Sequence, residues 1–329
     1  MLHGSMYEHY NKIGGYIAAL KRSSPGSTIE LVTDISTHQN PPVFKRLFIC
    51  FEALQKGWKE GCRKVLCVDG CFLKTFLGGQ LLSVVGRDGN DQIFPLAWAV
   101  VEGENNLSWE WFFVQLQMCL YLGEGDGICI ISNEHQHKAH RGEEMKLQFW
   151  KIAKSYNKAD YTDAMDELNT MNPDAATAFK GYKPECFCRA FLDPSFRTDA
   201  ITSNMVETFN GYIINARTKH ILYMLEDIRA NLMQRLMLKR LDMQKCTSTL
   251  CPKIQMKLET EKEKAANCDV TPSTETLFNV NYCLDQLVVN LEARTCTCRK
   301  WDMLGIPCCH AVACIFFLHK EAEDFVHES

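Results

Sequence analysis

No stretch of the sequence stays apolar for long enough to cross a bilayer: the longest such run, residues 311–318, falls far short of the ~20 residues a span needs. Residues 1–16 carry no apolar core of the secretory-signal type, so a soluble, non-secreted protein is expected. Internal repeats and low-complexity tracts are missing too. So is any excess of positive charge. Lys and Arg number 36 against 40 Asp and Glu, a net charge of −4, and affinity for nucleic acid would have to come from local basic patches. What is plentiful is hydrophobic side chain, 46% of a 329-residue chain with 23% charged, the balance of one large or two modest globular domains. Cysteine is plentiful as well. Seventeen thiols, an odd number without a secretory signal, point to reduced cysteines with a subset committed to metal.

The chain is organised around residues 65–102. Val65, Leu66, Cys67 and Val68 read as a strand buried on both faces, which Asp69 closes where Gly70 lets the backbone turn. Residues 80–86 and 92–101 read as two more strands, joined across 87–90, where Asp88-Gly89 supplies the positive φ of a tight hairpin. Glu102 follows at once. Then comes a helix that Ser108 can cap, with Trp109, Trp111, Phe112, Leu116 and Leu120 at helical spacing, and a fourth strand at 127–132. Upstream, helices are expected at 10–20 and 42–57, the second from the spacing of Phe44, Leu47, Phe48, Phe51 and Leu54, with a strand at 29–32 between them. Downstream, helical patterns cover 147–155, 161–168 and a short piece opened by Asn172-Pro173, and the longest runs over 204–241. A three-strand meander, a helix and a returning strand form the first half of a ribonuclease-H-like fold, the platform of two-metal nucleotidyl chemistry. The expected class is therefore α/β: a ribonuclease-H-like mixed sheet with flanking helices and a small C-terminal ββα zinc finger.

That finger rests on Cys296, Cys298, Cys308 and His310, four ligands within one short segment. Zinc takes such a set in a tetrahedron, and a closed Cys3His site leaves no open position for catalysis, so Zn²⁺ is expected in a structural role. Strands at 278–282 and 287–291 precede the first pair, and Pro307 marks the start of the helix carrying His310. So small a module has little core of its own, which makes metal binding its main source of stability. Cys309, between two ligands, reads as a bystander. From Arg217 to Lys264 there are eleven Lys or Arg against six Asp or Glu. A solvated helix face explains that excess; contact with DNA phosphates through Arg217, Lys219, Arg229, Arg235, Lys239 and Arg240 is the functional alternative.

With these residues in view, the chain resembles the transposases of plant Mutator-like elements and the far-red-response regulators derived from them. VDGCFLK at 68–74, GGQLLSVVGRDGN at 78–90, FPLAWAVVEGEN at 94–105 and SWEWFF at 108–113 are similar to the catalytic-domain signature of that family. SNMVETFNGYI at 203–213 is similar to its later helix, and RTCTCRKWDMLGIPCCHAVA at 294–313 to its SWIM-type finger. The resemblance implies a helical flank at 1–64, a transposase-type domain at 65–245, a linker helix at 246–268 and the finger at 269–329. It also implies a nuclear protein and a DDE site, in which three carboxylates hold two Mg²⁺ or Mn²⁺ ions. Asp69 matches the first acid and Glu207 the third, although Glu207 also stands three after Asn204 and fits a capping box. At the second position the sequence reads Ser132-Asn133, and a neutral amide removes one charge and one strong ligand. Asp126 lies at the wrong end of the strand, Glu134 would have to turn in from the loop, and His135, His137 and His140 read as solvated. The connection from Asn133 to Glu207 is shorter than the family pattern and keeps only a displaced Cys186-x-Cys188, so the third acid should be misplaced and Asn133→Asp alone should not restore activity. Three functions follow: a transposase-derived zinc protein that binds DNA or DNA-bound partners without strand transfer, an active DDE recombinase, or a protein-interaction module on a relic fold. No membrane partner is expected, and self-association stays open.

Overall fold

The computed structural model describes residues 6–34, 42–132, 143–202 and 204–327. In chain order the elements are α1 (Met6–Asn11), α2 (Ile13–Ser23), β1 (Thr28–Asp34), β2 (Val43–Cys50), α3 (Glu52–Gly61), β3 (Cys62–Phe72), β4 (Gln80–Asp88), β5 (Ile93–Val101), α4 (Asn106–Leu120) and β6 (Cys129–Ser132). Then follow α5 (Glu143–Lys154), α6 (Lys158–Met171), α7 (Pro173–Lys180), α8 (Asn204–Tyr212), α9 (Ile221–Gln244) and α10 (Pro252–Ala265). The last are β7 (Cys268–Pro272), β8 (Leu277–Tyr282), β9 (Asp285–Asn290), β10 (Thr295–Cys296), α11 (Lys300–Leu304) and α12 (Cys309–Phe317). The chain divides into two compact units, one of residues 1–133 and 202–247, the other of residues 134–201 and 248–329.

The first unit is built on a six-stranded sheet in the order β1-β2-β5-β4-β3-β6. All neighbours are antiparallel except β3 and β6, which run parallel with Val68 opposite Ser132. Continuous apolar runs make the central strands: Val65 to Val68 on β3, Leu81, Leu82, Val84 and Val85 on β4, and Leu96 to Val101 on β5 are all buried. Strands that read this way must be covered on both faces. Leu54 and Trp58 of α3 and Phe112, Leu116 and Leu120 of α4 are buried in that cover, and α8 packs on β3, β4 and β5.

Several local expectations change here. Residues 43–50 form a strand instead of the front half of a helix, because Leu47, Phe48, Ile49 and Cys50 are consecutively buried and pair with both β1 and β5, which a helix could not satisfy. Asp69 lies inside β3, whose ladder with β4 continues to Phe72 opposite Gln80. The positive φ of the β4–β5 turn falls on Asp91, at 54°, and not on Gly89. Asp88 drives this turn by accepting from the backbone N–H of Asn90 and Gln92, while Arg63 and Arg87 hold the buried Asp91 carboxylate. The cap of α4 is Asn105, whose side chain accepts from the Ser108 N–H. The long helix expected from residue 204 is two helices, α8 and α9. Between them Arg217 turns back to β3, its guanidinium donating to the carbonyls of Phe72 and Asn210 while its own carbonyl accepts from Lys74.

In the second unit α5, α6 and α7 share a core of Phe149, Ile152, Ala164, Met165, Leu168 and Phe179, with the Phe149 and Phe179 rings stacked at 4.8 Å. The C-terminal sheet runs β10-β9-β8-β7, antiparallel throughout. It is larger than the expected ββα finger. Phe278, Val280, Val289, Trp301 and Ile315 form one apolar cluster of this region, and Ile254, Leu258, Ile306 and Val312 another. The second cluster includes α10, so the segment read as an exposed linker helix is packed: Ile254, Leu258, Glu261 and Ala265 are buried. Arg299 joins the two parts of this unit by donating to the carbonyls of Ala190 and Leu192.

Candidate metal centre

Cys296 ends the short strand β10, and a left-handed Arg299 (φ 60°) turns the chain into α11. Gly305, left-handed at φ 69°, ends α11 and returns the chain to Cys308, which precedes α12 and its His310. These turns converge the four predicted ligands: one atom each from Cys296, Cys298, Cys308 and His310 lie within 4.8 Å of one another. Cys296, Cys308 and His310 are buried. Cys296 Sγ stands 3.7 Å from His310 Nδ1. Tetrahedral zinc with bonds of about 2.3 Å to sulfur and 2.0–2.1 Å to nitrogen sets that separation at ~3.6 Å, so this edge of the cage has the length zinc requires. Its electrostatics call for a cation. Hydrogen bonds from Cys296 and Cys308 hold the Cys298 thiol far below its ordinary value. Burial disfavours a charged His310, yet the sulfurs of Cys296, Cys298 and Cys309 outweigh that and hold the imidazole above its usual range. Sulfurs that draw a proton onto the ring are sulfurs that favour positive charge among them.

Partners outside the cage fix its frame. The Cys296 N–H donates to Asp302 Oδ2 at 3.2 Å, and the Cys309 N–H donates to Glu261 Oε2 at 3.0 Å. Glu261, on α10, also pairs with Lys300 at 2.5 Å and Lys264 at 3.5 Å. The ring of Tyr282 lies edge-on to His310, centroids 5.3 Å apart.

A second cluster is acidic. Asn210 of α8 donates to Asp69 Oδ2 at 3.0 Å, and the Cys71 thiol donates to Asn210 Oδ1 at 3.4 Å. Burial pushes the Asp69 carboxyl up, Glu104 and Glu207 add to that, and the Gly70 N–H and Asn210 oppose it. The structure therefore brings Glu207 into electrostatic reach of Asp69, with α8 packed on the sheet. It adds an acid the sequence reading passed over. The Glu104 carboxylate lies across Gly70, so close that a Cβ there would stand 2.6 Å from its Oε2. Its signal was the second acid of the Glu102-Gly-Glu104 sequence, overshadowed by Glu102. That landmark is spent elsewhere: Arg46 grips Glu102 with Nε to Oε2 at 2.8 Å and Nη2 to Oε1 at 2.5 Å. Asp126 is exposed in the turn before β6. Cys188 is buried and gives its thiol to the Ile152 carbonyl, while Cys186 is exposed, so the pair forms no cage. Asn133, Glu134, His135, His137 and His140 lie outside the described residues.

The sequence model of the MULE transposase domain matches residues 65–149. The match is to part of the chain, the segment from β3 into α5. The match holds Asp69 and Glu104, and a second model, that of the SWIM zinc finger, matches residues 279–316 and holds all four cage residues. No curated protein shows significant similarity to the chain. A MULE domain and a SWIM finger in one chain support a transposase-derived, zinc-binding protein.

The basic residues assigned to DNA are mostly engaged. Arg217 is buried, its guanidinium bound to two backbone carbonyls as described above, which removes it from any phosphate surface. Lys219 pairs with Asp227, Arg229 with Glu226, and Lys239 stands 4.0 Å from Asp242. Arg235 donates to the Ile93 carbonyl at 3.0 Å. Arg240 is exposed near the end of α9.

Proposed function

We propose that this is a nuclear, transposase-derived protein in which a SWIM finger holds one structural Zn²⁺ through Cys296, Cys298, Cys308 and His310, and in which strand transfer has been lost. The strand order β5-β4-β3-β6, an antiparallel meander followed by a parallel return, supports a ribonuclease-H-like platform. The observation that carries the loss of activity is the register of β6. Ser132 pairs with Val68, the neighbour of Asp69, and the next residue of the sequence is an asparagine instead of an acid. Two-metal chemistry needs carboxylates to clamp both ions, and replacing one by a neutral amide removes charge and a ligand together. The zinc set is closed, so its ion would supply fold and not Lewis-acid chemistry.

On this reading DNA is bound weakly and without sequence preference, because Lys219, Arg229 and Lys239 already have carboxylate partners that phosphates must displace and Arg217 is buried. A second reading has a specific observation behind it: Met233, Met237, Leu238 and Leu241 on α9 are exposed, which suits a protein partner better than a phosphate backbone.

Purified protein assayed for Mg²⁺- or Mn²⁺-dependent nicking and joining of duplex DNA is expected to be inactive. Asn133→Asp is the informative variant, since α8 packs on the sheet and the substitution returns both a charge and a ligand. Wild-type activity that vanishes on Glu207→Gln would refute the proposal. Duplex binding that falls steeply between about 50 and 200 mM salt supports the phosphate reading, and no binding at either salt supports the protein partner.

A further inference from the structure

Beside the zinc cage lies another set of soft ligands that the SWIM pattern does not use. Cys268 opens β7, and Cys309 is the first residue of α12. Their sulfurs and a ring nitrogen of His310 lie within 4.8 Å of one another. Cys309 is 6% exposed and His310 8%. With Nδ1 turned to Cys296, the other ring nitrogen of His310, Nε2, is fully buried and has no hydrogen-bond partner among the described residues. Buried polar atoms normally find a partner, so an orphaned one on the ring that closes this set of two thiols marks a place where something binds.

We propose that Cys268 and Cys309, with the edge of the His310 ring, form a second metal locus abutting the zinc cage, suited to a thiophilic d¹⁰ cation of the Cu(I) class. The donor set decides the class. Two sulfurs and a nitrogen offer nothing to hard ions such as Mg²⁺ or Ca²⁺, which take oxygen. Zinc would need a fourth ligand, and the group contains three. Thiolates select Cu(I), which is content with fewer ligands. Capture is not a redox step: each thiol releases its proton to solvent as its sulfur bonds to a cation supplied already as Cu(I), and Nε2, with Nδ1 committed to the cage, must release its proton as well to bond. The competing account is that Cys268 and Cys309 are small apolar side chains of the cluster they share with Ile254, Leu258 and Val312. Packing alone predicts no metal uptake, so the two accounts part in solution.

The zinc reading enters only in placing Nδ1 in the cage, and the experiment reads the two ions separately. Zinc-loaded protein is titrated anaerobically with Cu(I) in competition with a chromogenic Cu(I) chelator, and both metals are counted in the protein after desalting. One equivalent of Cu(I) is expected with zinc retained. Cys268→Ser and Cys309→Ser should each weaken Cu(I) binding by roughly tenfold or more, as loss of even an outer partner of a metal does, and leave zinc content unchanged. Cys283→Ser, at an exposed thiol, should change neither. Cys309→Ala provides a second probe that removes the sulfur and keeps the packed position apolar, and far-UV circular dichroism checks that each variant is folded. No Cu(I) uptake by the wild type, uptake that persists in both serine variants, or uptake that expels zinc one for one overturns the proposal. Protein purified without zinc would instead refute the zinc reading, while Cu(I) uptake that still depends on Cys268 and Cys309 would sustain this one.

Discussion

Glu261 should matter to the zinc unit more than any other charged residue outside the cage. Its carboxylate is 8% exposed, and its two oxygens do different work: one pairs with Lys300 and Lys264, the other accepts the Cys309 N–H. That N–H belongs to the first turn of α12, whose own cap position, Cys308, makes no side-chain capping bond. Glu261 therefore caps from a distance the helix that presents His310. Breaking a fully buried ion pair costs about 3–5 kcal/mol. Lys300 is 30% exposed and Lys264 47%, so both can regain water and the low end of that range applies. With about 1 kcal/mol more for the lost cap, Glu261→Ala should destabilise the unit by about 3–4 kcal/mol. Glu261→Gln keeps an acceptor for Cys309 and should cost about 1–2 kcal/mol. At about 2–4 °C per kcal/mol, calorimetry of zinc-saturated protein should show a fall of about 6–16 °C for alanine and less than half of that for glutamine. Lys300→Met in the alanine background should recover part of the loss, because it removes the stranded cation. The pH dependence has a definite sign. Burial pulls Lys300 down, but the hydrogen bond and charge of Glu261 outweigh it and leave the ammonium above its ordinary value. A raised lysine stabilises below its unfolded pKa of about 10.4 and loses that stabilisation as pH climbs through the folded value, so the effect should be flat from about pH 6 to 9. An alanine variant within about 0.5 kcal/mol of wild type, or a glutamine variant as damaging as alanine, would refute the capping argument.

Cys298→Ser should lose the bound zinc, read by metal analysis; one zinc retained at wild-type affinity would show the ligand set is wrong. Asp69→Asn should raise the melting temperature at pH 7 by an amount worth up to about 1 kcal/mol, since the raised Asp69 carboxyl opposes folding once ionised; the gain should fade as pH falls through the ordinary carboxylate range near ~4. Arg217→Met should destabilise the sheet unit by about 1–3 kcal/mol, by stranding the carbonyls of Phe72 and Asn210, and leave the salt dependence of DNA binding unchanged. Arg240→Ala should do the reverse, lowering the slope of log affinity against log salt by about 1 with stability intact.

Much of this was legible in the sequence, for reasons that differ by element. Strands β3, β4 and β5 announced themselves as uninterrupted apolar runs, because a strand covered on both faces has no polar positions to confuse the pattern. The cage was legible because ligand spacing survives any packing. Residues 43–50 were misread because Phe44, Leu47, Phe48 and Phe51 satisfy a helical period equally well; only long-range pairing with β1 and β5 settles it. The break between α8 and α9 was hidden for a similar reason: the return of Arg217 to the Phe72 carbonyl is a contact across 145 residues. Glu104 was missed because its meaning depends on Gly70, a residue 34 positions earlier that leaves room for its carboxylate.

The acidic cluster then carries a tension that bears on position 133. Burial is the first reason that Asp69 resists ionisation, and Glu104 and Glu207 add to it; against them stand the Gly70 N–H, which outweighs either glutamate, and the Asn210 amide. In a working two-metal site divalent ions neutralise such a set, and without them every added carboxylate makes the folded state harder to keep. The chain leaves β6 from Ser132, paired beside Val68, with an asparagine as the next residue. That residue carries no charge. On the proposed function, asparagine at this step of the sequence withholds a metal ligand and adds no charge to a set that already opposes ionisation of Asp69.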